Sequence, residues 1–280
     1  MFDTISMLVN AFGPSGRENR VAEVVTQMIK DKVDEISSDA MGNLIAVKKG
    51  SGKKIMLAAH MDEIGLIITT IDDKGFLRFG TVGGVLPLIS LGQRVVFENG
   101  LTGVVWYEES IESMKDAKID KMYIDIGAKT REQARELVEI GDMAVFEGRP
   151  VEQNGLIISK ALDDRVGCAI LLDILKEEWT GIQLYAVFAA QEEIGTRGAR
   201  VAAYRVGPDM GIALEGTVCA DIPLADKEAY ATRIGHGAAI SVMDRGSIPS
   251  RKMVAQIMKL AKEHNIPVQY REATSGGNDA

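Results

Sequence analysis

Apolar residues recur along this chain in two alternating periods, and the alternation predicts most of its elements. Val21, Val24, Val25, Met28 and Ile29 form one stripe at helical spacing, and Ser15 followed by Glu18 has the capping-box spacing that would open that helix. After Gly42 and Asn43, the runs at 44–47 and 55–59 read as buried strands joined through the turn sequence Gly50-Ser51-Gly52. From residue 69 to 159 the texture changes to short strand-like pieces, FLRFG, RVVF, TGVVWY, MYIDIG and DMAVFEG, punctuated by glycines. One short helix is predicted at 131–138, with Thr130 as its cap and Gln133 at the third position.

The second half alternates periods again. Asp164 can cap a helix whose apolar positions include Val166, Ala169, Ile170, Leu172 and Ile174, and a strand follows at 183–189. A helical stretch at 198–204 leads to a strand at 210–214. Pro249 and Ser250 introduce a helix bearing Val254, Ile257, Met258 and Ala261, and Pro267 starts an extended segment. This order predicts an α/β core, with a central mostly parallel or mixed sheet flanked by helices, interrupted by an inserted small β-rich, barrel-like domain. The expected division is 1–68, 69–159 and 160–280. The chain ends at SGGNDA just after a strand, and the glycine-rich segment leads us to expect further C-terminal material.

Composition narrows the function. A chain of 280 residues that is 46% hydrophobic can bury a sizeable core. Aromatic residues are 5% of it and the formal charge is −8, with acidic residues spread throughout; neither suits a nucleic-acid surface. No basic segment followed by an apolar one opens the chain, and no apolar run approaches membrane-spanning length, so the cytoplasm is the expected compartment and no membrane partner is expected. Cys168 and Cys219 sit in apolar surroundings without a C-x-x-C pair and read as buried free thiols.

Candidate chemistry gathers where strong apolar strands stop. KIMLAA runs into His60-Met61-Asp62-Glu63, LYAVFAAQ into Glu192-Glu193, MGIAL into Glu215, and GLIIS is followed after a short turn by Asp163-Asp164. Open α/β sheets bind ligands beyond the carboxyl ends of their strands, so these groups can converge. A two-metal hydrolase needs imidazole or carboxylate ligands, a carboxylate to bridge the ions and another to activate water. His60, Asp163, Glu193 and Glu215 are the candidate ligands. Asp62, two positions after His60, can orient the imidazole. Adjacent Glu192 and Glu193 diverge from an extended backbone, so one can ligate while the other reaches water. Each has a plainer reading: Asp163 or Asp164 as a helix cap, the glutamates as solvated strand exits, His60 as a hydrogen-bonded core histidine. Four such coincidences together favour the site. His236, flanked by glycines, reads as a turn residue, and His264 as a helix-end residue. SGKK at 51–54 lacks the phosphate-loop arrangement, and no nucleophile elbow or H-E-x-x-H motif is present.

AAHMDEIG at 58–65, ALDDRVG at 161–167, QEEIGTRGA at 191–199, ALEGT at 213–217 and GGNDA at 276–280 resemble, in order, the motifs of the tetrahedral metallo-aminopeptidases, the glutamyl aminopeptidase-like or deblocking family. The resemblance implies a zinc-peptidase-like catalytic domain and two divalent ions, zinc or cobalt. It implies His60 and Glu215 on one ion, Asp163 bridging, Glu193 on the other, Glu192 as catalytic base and Asp62 orienting His60. It further implies peptide substrates, an inserted assembly domain, and dimers assembling into a dodecamer. The family's last histidine ligand would lie beyond residue 280. GGNDA departs from the commoner GGTDA-like pattern at Asn278. A related zinc amidohydrolase of aminoacylase or carboxypeptidase type, a metal-independent endoglucanase and an inactive structural homologue are the alternatives.

Overall fold

The computed structural model describes residues 1–110, 113, 116–219, 221–225, 230–272 and 277–280. Helices α1 (Phe2–Asn10) and α2 (Asn19–Ile29) lead to strands β1 (Glu35–Ser38), β2 (Leu44–Lys48) and β3 (Lys53–His60). A second body follows: β4 (Gly65–Ile71), β5 (Leu77–Val82), the single turn α3 (Pro87–Ser90), β6 (Arg94–Phe97), β7 (Thr102–Tyr107), β8 (Met122–Asp125), α4 (Arg131–Arg135) and β9 (Met143–Phe146). The hairpin β10 (Val151–Gln153) and β11 (Leu156–Ile158) returns the chain to α5 (Leu162–Ile174), β12 (Ile182–Ala189), α6 (Arg197–Val206) and β13 (Met210–Ala213). Last come β14 (Ala238–Ile240), α7 (Arg251–Glu263) and β15 (Val268–Tyr270).

The main sheet has the order β1-β2-β12-β3-β13, with β12, β3 and β13 parallel and β1 and β2 added antiparallel. It is thus mixed. Leu44, Ala46, Leu184, Ala186 and Phe188 point to one face and pack with α1, α2 and α5; Ile45, Val47, Val187 and Ala189 point to the other, against Ala199, Ala202 and Val206 of α6. Burial on both faces is why these strands read as unbroken apolar runs. Although β2 and β3 are joined by a short turn, they are not paired: β12 lies between them. Gly50 and Gly52 make room for this, because a Cβ on either would run into the Ile182 or Gly181 carbonyl at the start of β12.

One element was not expected from the sequence, and one expectation is corrected. α1 was not foreseen; it buries Ile5, Leu8 and Val9 but begins at Met1 with no side-chain cap, so no start signal marks it. Ser15 and Glu18 do not form a capping box, since α2 has no side-chain cap hydrogen bond and both side chains are engaged at the strand ends described below. The short helix α4 does carry its expected cap, Thr130 accepting from the Gln133 N–H at 3.3 Å, and ends at Arg135.

The inserted body is a closed barrel in the order β4-β5-β8-β7-β6-β9, filled by residues such as Leu66, Leu77, Phe79, Phe97 and Ile124. Closure leaves no unpaired strand edge. Its two connections to the sheet body meet at an ionic junction. Glu63, on the outgoing connection, accepts from Lys160 on the returning one at 2.5 and 2.8 Å. Arg165 of α5, wholly buried, lies against the same carboxylate at 3.4 Å. It also donates to the carbonyls of Leu8, Ala11 and Gly13. The last carbonyls of a helix have no partner within it, and α1 has no basic residue in its final turn, so Arg165 supplies that cap from α5.

Removing one member of a buried ion pair strands the other. Arg165→Met is therefore expected to lower stability by about 3–5 kcal/mol, read as a shifted urea midpoint, with Glu63→Gln in the same chain recovering part of the loss. A loss below about 1 kcal/mol, the range of exposed pairs, would refute this account of the junction.

Candidate metal centre

Parallel register brings the candidate residues together. His60 pairs with Ala189 and Ala58 with Ala213, so β3, β12 and β13 finish at one end of the sheet, where His60, Glu192, Glu193 and Glu215 follow or close them. α5 begins at the same end, adding Asp163 and Asp164.

Beyond Ala189 the chain leaves the sheet, and its next four amides find no strand partner. Buried N–H groups need acceptors. Three side chains from elsewhere provide them in succession. Asn43 accepts from Ala190 at 2.9 Å, Glu18 from Gln191 at 3.1 Å, and Asp62 from both Glu192 and Glu193 at 3.0 and 3.1 Å. Asn43 also donates to the Gly198 carbonyl at 2.9 Å, closing the turn, and Gly198 lies so near Ala190 and Asn43 that a Cβ has no room. Ser15 donates to Asp62 at 2.6 Å. Ser15, Glu18 and Asn43 were missed by sequence reasoning, because each stands in a stretch that reads as a cap or a turn.

Asp62 is completely buried and lies 3.4 Å from Nδ1 of His60, which also faces the Asp62 carbonyl at 3.2 Å. Nε2 therefore looks into the acidic cluster. It lies 3.1 Å from Asp163 Oδ1, 3.7 Å from Glu215 Oε2 and 3.8 Å from Glu192 Oε2. Burial opposes charge on this imidazole, but the contacts to Asp163 and Asp62 outweigh it and hold the pKa well above its ordinary value. Burial likewise opposes charge on Asp62, yet His60, Ser15 and the Glu192 amide keep the carboxyl below its usual range. The other carboxyls shift upward, mainly by burial: Glu192 and Glu193 to about 7, Glu215 to about 9 and Asp164 to about 8. Carboxyls crowded in this way can be relieved of their mutual repulsion by protons or by bound cations.

Donor spacing suits bound cations. Tetrahedral bonds of about 2.0–2.2 Å put ligand atoms roughly 3.3–3.6 Å apart, and the distances around His60 Nε2 bracket that range. Among the described residues two groups hold ligand atoms within 4.8 Å of one another, His60 with Asp164 and Glu215, and His60 with Glu192 and Glu193. Asp164 enters the first group, but its oxygens already accept from the Gly167 amide at 3.0 Å and the His60 amide at 3.2 Å. It caps α5 beyond a local kink, as its sequence position suggested. Asp163 is the nearer carboxylate to Nε2, and its side chain is 59% exposed.

Neighbouring residues complete the surroundings. Gly83 of the barrel approaches Glu193 so closely that a Cβ would stand 3.0 Å from the Glu193 Cβ, and Gly216 does the same to Asp163. The Asp279 amide donates to Glu215 at 2.9 Å; Ser275 and Gly276 of the adjoining segment lie outside the described residues. Cys168 is buried, its Sγ 3.2 Å from the His60 carbonyl, whereas Cys219 is only half-buried, contrary to expectation, because it lies in an irregular segment after β13. Both thiols are free, and His236 and His264 are exposed, in neither candidate ligand group.

The geometry agrees with the comparisons. A putative aminopeptidase of Acetivibrio thermocellus is 48% identical over 280 residues, covering all of this chain and 84% of that protein. The solved aminopeptidase APDkam598 from the archaeon Desulfurococcus kamchatkensis superposes with a TM-score of 0.95 at 37% identity, over 100% of this chain and 81% of that one. The Pyrococcus horikoshii TET1 peptidase, which can assemble into a tetrahedron or a large octahedral shell, gives 0.88 at 34% identity over 99% and 86%. Residues 42–280 match the family model of the M42 glutamyl aminopeptidases, and with these likenesses in sequence and fold the chain belongs to that family.

Proposed function

We propose that this chain removes N-terminal residues from peptides by attack of an activated water. His60, Asp163, Glu193 and Glu215 would hold two divalent ions, zinc or cobalt, with Glu192 as general base and Asp62 orienting His60. One observation carries the reading: carboxylates from three separate segments converge to between 3.1 and 3.8 Å of a single imidazole nitrogen. Asp163, closest to Nε2 and not occupied by backbone amides, suits the bridging role. Glu215 would join His60 on one ion, and Glu193 would serve the other.

When bound, the ions would polarise the scissile carbonyl and acidify water. The chain's own residues do the rest. Asp62 keeps the Nδ1 edge of His60 engaged, so that Nε2 alone is offered to the site. Glu192, its side chain 14% exposed, takes a proton from water and returns it to the leaving amine. The surplus of carboxylates favours a substrate end carrying a free ammonium group.

The proposed compartment is the cytoplasm; no helix among the described residues is long and apolar enough to cross a membrane. The proposed assembly is a dodecamer built from six dimers joined through the barrel, a reading supported by the tetrahedron that the TET1 peptidase can form.

Glu192→Gln is expected to retain its metal while hydrolysis of peptides with free N-termini falls by about 10²-fold or more. Near-normal turnover would remove the base assignment, and activity confined to N-acyl amino acids would overturn the aminopeptidase reading. Metal-free protein gives an independent check. Glu192, Glu193 and Glu215 keep protons in the folded state that the unfolded chain has already lost above its ordinary carboxyl range, and the raised His60 acts in the same direction. Stability without metal therefore falls as pH rises from about 5 to about 9, while the stabilisation gained on adding zinc grows. Melting temperatures of chelator-treated protein across that range, with and without zinc, should diverge; parallel flat curves would contradict the site. Sedimentation velocity should show twelve-chain particles, and a stable dimer alone would refute the assembly.

A further inference from the structure

We propose that the loop at 13–18 is a working part of this centre. Ser15, through Asp62, and Glu18, through Gln191, are positioning residues that set the direction in which Glu192 and Glu193 leave the strand end. The inference rests on Glu192 being the general base. The loop lies outside the range matched by the family model, which begins at residue 42.

Ser15 and Glu18 are 2% and 5% exposed, so neither is a solvated loop residue. The Ser15 hydroxyl donates to Asp62 Oδ2 at 2.6 Å, and that same oxygen accepts from the Glu193 amide, while Oδ1 accepts from the Glu192 amide and faces His60. Rotation of this carboxylate thus decides at once how the imidazole and both glutamates are held, and Ser15 is the side chain that fixes the rotation. Glu18 Oε1 accepts from Gly16 at 2.7 Å and Gln191 at 3.1 Å, tying the loop to the turn. Gln191 has φ of 58°, the left-handed region that a residue with a side chain adopts reluctantly, and this reversal immediately precedes the glutamates. A held Gln191 amide keeps the reversal in place.

The loop is itself anchored from behind. The Gly13 carbonyl accepts from the Glu63 amide at 3.0 Å and from Arg165 at 3.4 Å, and a Cβ at Gly13 would collide with Val21. Ser15 and Glu18 therefore act from a fixed platform on the sheet body. Replacing Ser15 with alanine removes one donor from a buried carboxylate without touching any residue that would reach metal or substrate.

The test uses Ser15→Ala, Ser15→Thr, Glu18→Ala and Glu18→Gln, each alone, with Ser15→Ala also placed in Glu192→Gln. The zinc-loaded proteins are assayed on amino-acyl p-nitroanilides with a free amine, and zinc per chain and melting temperature are recorded. Expected for Ser15→Ala is a kcat lower by about 10- to 100-fold, with KM within about 2-fold, zinc content little changed and the melting temperature lowered only by the few degrees that one hydrogen bond to a carboxylate is worth. Threonine restores kcat because the hydroxyl returns. Glu18→Ala reproduces the loss and Glu18→Gln recovers it, since an amide oxygen still accepts; this pair decides if Ser15→Ala does not fold. In the Glu192→Gln background Ser15→Ala lowers kcat by less than it does alone, because the part that acts through the base has nothing left to position, while the part that acts through His60 and Glu193 remains. A normal kcat for Ser15→Ala, a fall in kcat that tracks melting temperature, or effects that multiply in the double variant would each overturn the inference. Glu192→Gln measured alone separates the two failures. Full turnover there removes the base and this inference with it, whereas a slow Glu192→Gln beside a fully active Ser15→Ala removes this inference alone.

Discussion

The candidate metal centre is organised around one buried carboxylate. Asp62 has no solvent to stabilise it, and its charge is sustained by four groups that have no other reason to meet: an imidazole, a hydroxyl and two consecutive amides. Hydrogen bonds to an ionised acceptor are among the stronger ones available inside a protein. Because the four come from three parts of the site, the end of β3, the 13–18 loop and the turn after β12, satisfying Asp62 is the same act as bringing those parts together.

The surrounding architecture serves that convergence. Three parallel strands finish together, and the helices α5 and α6 cover opposite faces so that the sheet cannot shift without disturbing both packed layers. The barrel, with a core of its own, hangs from two adjacent connections held by Glu63, Lys160 and Arg165. Arg165 joins that junction to the end of α1. The N-terminal helix, the barrel and the strand ends thus share one buried ionic node.

Much of this is legible in the sequence, and what is not has identifiable causes. Residues that halt an apolar run, His60, Glu192 and Glu215, stand out because a charged group after a buried strand needs a reason. Thr130 announces its cap correctly, for its partner lies three residues away. Ser15 and Glu18 have the same spacing and mean something else, since their partners are 47 and 173 positions distant and no local pattern records that. The placing of β12 between β2 and β3 is hidden for the same reason, although Gly50 and Gly52 carry its trace. Arg165 escaped notice because an arginine in a helix ordinarily faces water, and the carbonyls it caps belong to a helix with no start signal.

Gly83 adds one more consequence. Its backbone has a left-handed φ of 77° and presses against Glu193, so a loop of the barrel forms part of the wall around a candidate metal ligand. The outgoing connection to the barrel runs through Glu63, directly after Asp62, and the returning one through Lys160, three positions before Asp163. Any lengthening of this turn or of the two connections would be felt at Glu193, Asp62 and Asp163. A turn of the inserted barrel is in this way part of the surroundings of Glu193, so the insertion and the candidate site share a single stretch of chain.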